Sequence, residues 1–194
     1  MKFILASASP RRRELLSSIG LEFDVLPSNV PEVRAVGEAP EEYVARLSRD
    51  KAQALASVHP SRWVIAADTT VLLGEELLEK PVDGDDAARM LGTIAGKTHI
   101  VYTGVTLENA EREYRDTRVA ESEVRMLPLS AEEIQWYVRT GEPLDKAGAY
   151  AVQGLGAMFI ESIHGSYTNV VGLPLATLFL MLRRAGLDPL RSEK

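Results

Sequence analysis

Short apolar runs of strand length alternate along this chain with longer patterns of helical period. Residues 63–67 form an apolar run typical of a buried strand, whereas residues 40–57 carry Tyr43, Val44 and Leu47 on one side of a predicted helix. Such alternation over 194 residues predicts an α/β or α+β fold, with helices flanking a mixed sheet and enough chain to bury a sizeable core.

Cap and turn signals set the bounds of the other predicted elements. Ser130 and Glu133 have the spacing of a capping box, and Gly20 follows the last apolar residue of the first helix. The polar alternation of residues 114–127 is typical of an antiparallel strand at a half-solvated edge. We predict strands at residues 2–6, 22–27, 63–67, 98–107, 114–127 and 158–163, and helices at residues 10–19, 40–57, 84–94, 130–139 and 174–185. We also expect residues 70–73 to continue extended as far as a turn at Gly74 and Glu75.

Two glycine-rich loops, at residues 141–156 and 164–172, separate the last predicted elements. Loops of this length are usually functional, and glycine lets the backbone approach a ligand closely. We therefore expect both loops to form walls of a binding site.

Composition and charge exclude several classes of protein. No apolar run approaches the length of a membrane span, and the first residues lack the pattern of a signal peptide, so we expect a cytoplasmic protein without a membrane partner. The absence of cysteine excludes disulfides and thiolate chemistry, and the three histidines stand too far apart to favour a zinc site or a catalytic triad. A net charge of −6 makes a nucleic-acid surface unfavourable.

The first predicted helix begins with charges of the wrong sign. Ser9 is a good N-cap and Pro10 fits the first helical position, but three arginines, residues 11–13, then face the positive end of the helix dipole. An anion bound there would explain the arginines, because helix-start amides, serine hydroxyls and guanidinium groups together form a phosphate cradle. A solvated basic start to a surface helix is the alternative.

Three further polar residues are candidates for chemistry. Asp68 follows the apolar run at residues 63–67, and we expect its carboxylate where that strand surfaces, a common place for catalytic groups in sheet enzymes. A turn-forming aspartate is the alternative. Lys51 on the long helix and Lys80 before Pro81 are candidate cations, with ordinary surface lysines as the alternative.

Ordered motifs over nearly the whole chain resemble the Maf family of nucleoside-triphosphate pyrophosphatases. The motifs are Ser7–Arg12, Ala67–Thr69, Glu79–Pro81, Gly141–Gly148, Gln153–Gly154 and Gly165–Tyr167. The resemblance implies a single Maf-like domain over residues 1–194, with an elongated mixed sheet and two lobes around a central cleft, as in inosine-triphosphate pyrophosphatase-like proteins. It also implies hydrolysis of a nucleotide to its monophosphate and pyrophosphate with a divalent cation, Mg²⁺ or alternatively Mn²⁺.

The resemblance assigns the proton acceptor of the reaction to Asp68. The cations that offset the charge of the triphosphate are then Arg11, Arg12, Lys51 and Lys80, and the Ser7 and Ser9 hydroxyls complete the phosphate site. We expect Asp68 to be a metal ligand, and Glu32 is the candidate for an additional metal carboxylate. The stretch around Glu32 departs from the more acidic pattern of the family, so a surface-loop glutamate is the alternative at that position.

Three residues bear on the choice of substrate in the family: Arg11, Thr69 and Gln153. Thr69, Gln153 and the Gly-Glu-Pro loop at residues 141–143 resemble the subgroup that acts on dTTP and UTP, whereas a subgroup with Gln after the catalytic Asp prefers 7-methyl-GTP. The resemblance thus implies a dTTP/UTP pyrophosphatase. The alternatives are a 7-methyl-GTP pyrophosphatase, a non-catalytic nucleotide sensor in cell-division control and, least favoured by charge, a nucleic-acid binder. A homodimer is compatible with the sequence, which does not decide the oligomeric state.

Overall fold

The alternating pattern folds into strands and helices around a mixed sheet. The structure, a computed structural model, describes residues 2–187. The strands are β1 (Phe3–Leu5), β2 (Phe23–Val25), β3 (Val64–Leu73), β4 (Glu76–Leu78), β5 (Thr98–Asn109), β6 (Tyr114–Met126) and β7 (Ile160–Gly165). The α-helices are α1 (Pro10–Ser18), α2 (Pro40–Ala56), α3 (Gly84–Ile94), α4 (Ala131–Arg139), α5 (Tyr167–Val171) and α6 (Leu175–Arg184). Three short 3-10 helices span Glu142–Asp145, Ala147–Ala149 and Gly154–Phe159.

The sheet contains both parallel and antiparallel pairs, which confirms the predicted fold class. Its strand order is β2-β1-β3-β5-β6-β7, with β4 paired to β3. The N-terminal β1 is parallel to both of its neighbours, with Ile4 opposite Asp24 on β2 and opposite Val64 on β3. The β3/β4 and β6/β7 pairs are antiparallel.

The chain divides into two compact units. Of the described residues, the first unit contains 2–68, the segment Thr103–Ala120 and 172–187. The second contains Thr69–Tyr102 and Glu121–Val171. In the first unit, Leu5, Ile65 and Leu107 belong to one buried apolar cluster, which α1 and α6 also line. In the second unit, α3 and α4 contribute Leu91 and Tyr137 to a separate core. Each unit therefore buries its own apolar side chains.

Two predictions were wrong, one about a strand and one about a loop. At residues 122–126, β6 lies between β5 and β7 and not at the edge of the sheet. Its alternation instead reflects two faces, since Ser122, Val124 and Met126 are buried while the residues between them are exposed. The predicted loop at 164–172 also contains the short helix α5, which has no apolar periodicity long enough to be recognised.

Helix α2 packs unusually close to β5. A Cβ atom added to Gly104 on β5 would lie 2.2 Å from the carbonyl oxygen of Val44 on α2, well inside van der Waals contact. Only glycine permits this approach, so Gly104 sets the position of α2 against the sheet. Within residues 2–187, no helix combines the length and the apolar character needed to cross a membrane.

Candidate active site

Asp68 lies in the interior of β3 and not at a strand end, because the predicted strand at 63–67 and the predicted extended stretch at 70–73 form one continuous strand. The strand continues through Asp68 to Leu73, because β-branched and apolar residues follow the aspartate and β4 pairs with them. The turn-forming alternative is therefore wrong as well. Only 7% of Asp68 is exposed, and a carboxylate buried this deeply needs a charged or hydrogen-bonding partner.

Lys51 provides that partner from the neighbouring helix. Its Nζ atom donates to Asp68 Oδ1 at 2.6 Å and to Glu32 Oε1 at 2.6 Å, so one ammonium group bridges two carboxylates. Lys51 is 5% exposed, which excludes the surface-lysine alternative. The sequence carried a signal for this burial, since Val44, Leu47 and Lys51 lie at i, i+3 and i+7 on one face of α2.

Glu32 joins this cluster from a loop that apolar packing does not hold. No side chain from residues 29 to 37 is buried. The loop is instead attached to α2 by Arg46, which forms a two-pronged ion pair with Glu38 at 2.6 and 2.8 Å and donates to the Val33 carbonyl at 2.9 Å. The Arg46 guanidinium lowers the pKa of Glu38 to about 2. The sequence analysis did not predict these contacts, because no local pattern links Glu38 in the loop to Arg46 on the helix, eight residues later.

Hydrogen bonds hold the arginine-rich start of α1 in place. The Ser9 hydroxyl caps the helix by accepting from the Arg12 amide at 3.5 Å, and Pro10 occupies the first turn. The Arg12 side chain donates from Nε to the Gly172 carbonyl at 2.7 Å and from Nη1 to the Ser7 hydroxyl at 3.2 Å. Arg12 is thus not a solvated surface charge, whereas the side chain of Arg13 is exposed.

Arg12 interacts electrostatically with the carboxylates of Asp68 and Glu32. Burial lowers the pKa of Arg12, and the negative charges of Asp68 and Glu32 oppose that decrease. The neighbouring Arg11, which is half-buried, lowers it further. The first unit therefore brings together five of the predicted site residues, Ser7, Arg12, Glu32, Lys51 and Asp68, with Ser9 and Arg11 on the adjoining helix turn.

The remaining predicted residues belong to the second unit. Thr69 follows Asp68 on β3 and is half-buried, and Lys80 is exposed just beyond β4. The neighbour of Lys80, Glu79, accepts the amide of Gly148 at its carbonyl oxygen, a contact of 3.1 Å that ties the lysine segment to the glycine-rich loop. Gln153 is half-buried and immediately precedes the last 3-10 helix.

Asp68 and Glu32 are the residues of this cluster that could hold a cation. Within the described part of the chain, no group of three or more His, Cys, Asp or Glu side chains is arranged for a metal. Two carboxylates suit a hard cation such as Mg²⁺, which takes few protein ligands and completes its shell with substrate phosphates and water. The donor set therefore fits a cation that binds together with a phosphate-bearing ligand.

Comparisons with known proteins agree with these motifs. The sequence model of the family described as "Maf-like protein" matches residues 2–185. The chain is 52% identical over 184 residues to a dTTP/UTP pyrophosphatase of Myxococcus xanthus (strain DK1622), covering 95% of this chain and 92% of that protein. It is 50% identical over 186 residues to a dTTP/UTP pyrophosphatase of Koribacter versatilis (strain Ellin345), covering 96% and 95%.

Among solved structures, the Ham1 protein of Staphylococcus aureus is similar with a TM-score of 0.47 and 13% identity, covering 82% of this chain and 80% of that one. A likeness at that level carries no argument about activity. The family match over nearly all described residues and the identities near one half to full-length relatives decide the classification: the chain belongs to the Maf family.

Proposed function

We propose that this protein is a nucleoside-triphosphate pyrophosphatase that hydrolyses dTTP and UTP to the monophosphate and pyrophosphate. The observation that carries the proposal is the buried Lys51, which bridges Asp68 and Glu32. The charges of these two carboxylates act in turn on Arg12 at the basic start of α1. Relatives at 52% and 50% identity that bear the name dTTP/UTP pyrophosphatase support the choice of substrate.

The reaction is an attack of water on the α-phosphorus. A new bond forms between the water oxygen and the α-phosphorus, the bond from that phosphorus to the bridging oxygen breaks, and pyrophosphate leaves with the bonding electron pair. Asp68 takes the proton of the attacking water as general base. Because Lys51 engages Oδ1 of Asp68, we assign the proton to Oδ2.

Lys51 has two tasks in this scheme. It holds the carboxylates of Asp68 and Glu32 in place, and its positive charge offsets the repulsion between the buried anion of Asp68 and the neighbouring, more exposed anion of Glu32. Fixed cations also stabilise the charge that develops on the phosphates in the transition state. We assign that role to Arg11, Arg12 and Lys80, with the Ser7 and Ser9 hydroxyls as phosphate donors.

A divalent cation, which we propose to be Mg²⁺ with Mn²⁺ as a substitute, would be held by Asp68 and Glu32 and would offset negative charge on the phosphate oxygens. The carboxylate oxygens of both residues are hard donors of the kind that Mg²⁺ prefers. Lys51 contacts one oxygen of each carboxylate, and it is the residue that keeps the two ligands together.

We assign base recognition to Gln153, with Thr69 as the small residue beside Asp68. A glutamine amide offers one donor and one acceptor side by side, which can pair with O4 and N3–H of uracil or thymine. A site built to hydrogen-bond one base leaves its polar groups unpaired with another, and the mismatch can cost up to about 10⁴ in kcat/KM in favourable cases. On this basis we expect poor turnover of ATP, GTP and 7-methyl-GTP.

The test is turnover of dTTP, UTP, CTP, ATP, GTP and 7-methyl-GTP with Mg²⁺, in which both monophosphate and pyrophosphate are quantified. We expect dTTP and UTP to have the highest kcat/KM and to yield the two products in equal amounts. A higher kcat/KM for 7-methyl-GTP would contradict the substrate assignment. Binding of nucleotide without product would contradict the enzyme and favour a sensor.

A further inference from the structure

We propose that Tyr137 and Glu142 are positioning residues that hold both flanks of Gln153 and thereby set the discrimination between uracil and cytosine nucleotides. The inference rests on the proposed function, in which Gln153 recognises the base. Glu142 belongs to the Gly-Glu-Pro loop, and the catalytic scheme gives it no task. Its contacts lie wholly within the second unit.

Glu142 holds the chain that follows Gln153. Its Oε2 atom accepts the Leu155 amide at 3.0 Å, and its Oε1 atom accepts the Gly156 amide at 2.9 Å. These two amides begin the last 3-10 helix, where they have no partner inside the helix itself. The Glu142 side chain, which lies fourteen residues before Gly156 in the sequence, therefore fixes this turn.

Tyr137 holds the chain that precedes Gln153. Its hydroxyl oxygen accepts the Ala151 amide at 3.1 Å, and the same hydroxyl donates to Glu142 Oε1 at 2.8 Å. The tyrosine is fully buried on α4. One hydrogen-bonded pair of side chains thus contacts the backbone two residues before Gln153 and again two and three residues after it.

The fit of the backbone around this pair is close. A Cβ atom at Gly154 would lie 2.5 Å from Glu142 Oε2, and one at Gly156 would lie 2.4 Å from the Tyr137 hydroxyl. Gly154 also has a φ of +70°, which favours glycine in its own right. The segment that follows Gln153 can therefore come close to Glu142 and Tyr137 only because glycine occupies positions 154 and 156.

Glu142 is suited to this role as an anion. Burial opposes its ionisation, but the amides of Gly156 and Leu155, the Tyr137 hydroxyl and the charge of Lys146 outweigh burial and lower its pKa. An ionised carboxylate accepts at both oxygens, whereas a glutamine side chain would turn an NH₂ group toward one of the donors. Glu142→Gln therefore breaks part of the network with almost no change in size.

The consequence concerns the order of donor and acceptor on Gln153. Uracil presents an acceptor at C4 and a donor at N3, whereas cytosine presents a donor at C4 and an acceptor at N3. A glutamine amide held in one orientation matches uracil alone, but an amide free to rotate by half a turn matches either base. The clamp acts on the backbone at Ala151, Leu155 and Gly156, and it thereby fixes the position from which the Gln153 side chain reaches the base. Loss of the clamp should let that side chain shift and turn, and so relax the selectivity for UTP over CTP.

The experiment measures the ratio of kcat/KM for UTP over CTP in the wild type, Glu142→Gln and Tyr137→Phe. We expect both variants to lower the ratio by about tenfold or more, mainly by improving CTP relative to UTP. In the Gln153→Ala background, Glu142→Gln should change the ratio no further, because the group that it positions is gone. Glu133→Gln is the matched control, since Glu133 caps α4 in the same unit without contacting residues 151–156.

A ratio equal to that of the wild type in folded Glu142→Gln and Tyr137→Phe would overturn the inference, as would an equal fall in the Gln153→Ala background. Amide hydrogen exchange supplies a readout that does not depend on any substrate. Glu142→Gln should speed exchange at Leu155 and Gly156, and unchanged exchange there would also overturn the clamp. If the wild type hydrolyses neither UTP nor dTTP, the proposed function fails while the exchange measurement still decides the clamp.

Discussion

Lys51 and Asp68 form a buried ion pair in which Nζ lies 2.6 Å from Oδ1, with side chains only 7% and 10% exposed. Leaving either charge alone in such a place would be strongly destabilising. Glu32 prevents this for the lysine, because its own carboxylate is 2.6 Å from the same ammonium group. The charge of Asp68 can therefore be removed without leaving the buried Lys51 ammonium group unpaired.

That relationship makes Asp68→Asn a test of the catalytic part of Asp68, as general base and as proposed metal ligand, in a protein that keeps its fold. We expect the variant to fold, because Lys51 keeps Glu32 as a partner, and to lose about 10²–10⁴-fold in pyrophosphate release. Asp24→Asn is the control, since Asp24 lies on β2 and pairs with Lys2 and Arg62, neither of which belongs to the cluster. Near-normal turnover by Asp68→Asn would remove Asp68 from the mechanism.

The two arginines of α1 should differ in stability, because Arg12 combines its proposed phosphate contact with structural hydrogen bonds. Arg12→Ala removes charge-assisted bonds to Gly172 and Ser7 and should lower the free energy of unfolding by about 1–3 kcal/mol. Arg11→Ala should instead raise the KM for dTTP and slightly stabilise the empty protein, because it removes a charge that opposes the helix dipole. Thermal melts with and without dTTP, alongside kinetics, measure both effects.

For comparison, Lys80→Ala should weaken triphosphate use without a large change in melting temperature, because the lysine is exposed.

An Arg11→Ala variant that melts at a much lower temperature but keeps the kinetics of the wild type would show that Arg11 is structural.

His99 should make the folded state sensitive to mild acid. It is buried, its Nε2 lies 2.8 Å from the Tyr150 hydroxyl, and burial lowers its pKa to about 4. The unfolded chain binds a proton near pH 6.5 and the folded chain does not until about pH 4, so stability is complete above 6.5 and falls as the pH drops between these values.

The expected loss between pH 7.5 and 4.5 is about 2–3 kcal/mol in excess of that in His99→Gln, measured by urea unfolding. His164→Gln serves as the control because His164 is exposed on β7. A pH dependence in His99→Gln as steep as that of the wild type would show that other groups cause it.

Two glycine-to-alanine changes should have opposite signs. Gly104→Ala would drive a Cβ to 2.2 Å from the Val44 carbonyl and displace α2, so we expect a loss of about 1–3 kcal/mol or more, together with lower activity through Lys51. Gly92→Ala lies inside α3, where a Cβ meets Ile134 at 4.0 Å, and should gain roughly 0.5–1 kcal/mol. Urea unfolding of both variants checks the signs, and a stable, fully active Gly104→Ala would contradict the packing account.

Local signals in the sequence predicted elements well where they act within a few residues. The capping box of Ser130 and Glu133 forms as expected at the start of α4, and α3 spans Gly84–Ile94 as predicted. Ser9, Pro10 and Gly20 likewise bound α1 correctly, because caps and breakers act on their own turn.

The candidate site was harder to predict because its contacts are not local. Residue types and the family resemblance gave its members, but no local pattern places Glu32 on Lys51, nineteen residues later, or attaches the loop through Arg46. The continuation of β3 through Asp68 depends on pairing with β4, which a strand-end interpretation of the aspartate missed. The clamp on Gln153 likewise joins segments that only the fold brings together.

The central claim is that water attacks the α-phosphorus of dTTP with Asp68 as the base. Hydrolysis in water labelled with heavy oxygen tests it directly, with mass spectrometry of both products. We predict that the label enters dTMP and is absent from pyrophosphate, at a rate that Asp68→Asn reduces in proportion to its loss of turnover. Label in pyrophosphate, or release of single phosphate groups in its place, would contradict the account.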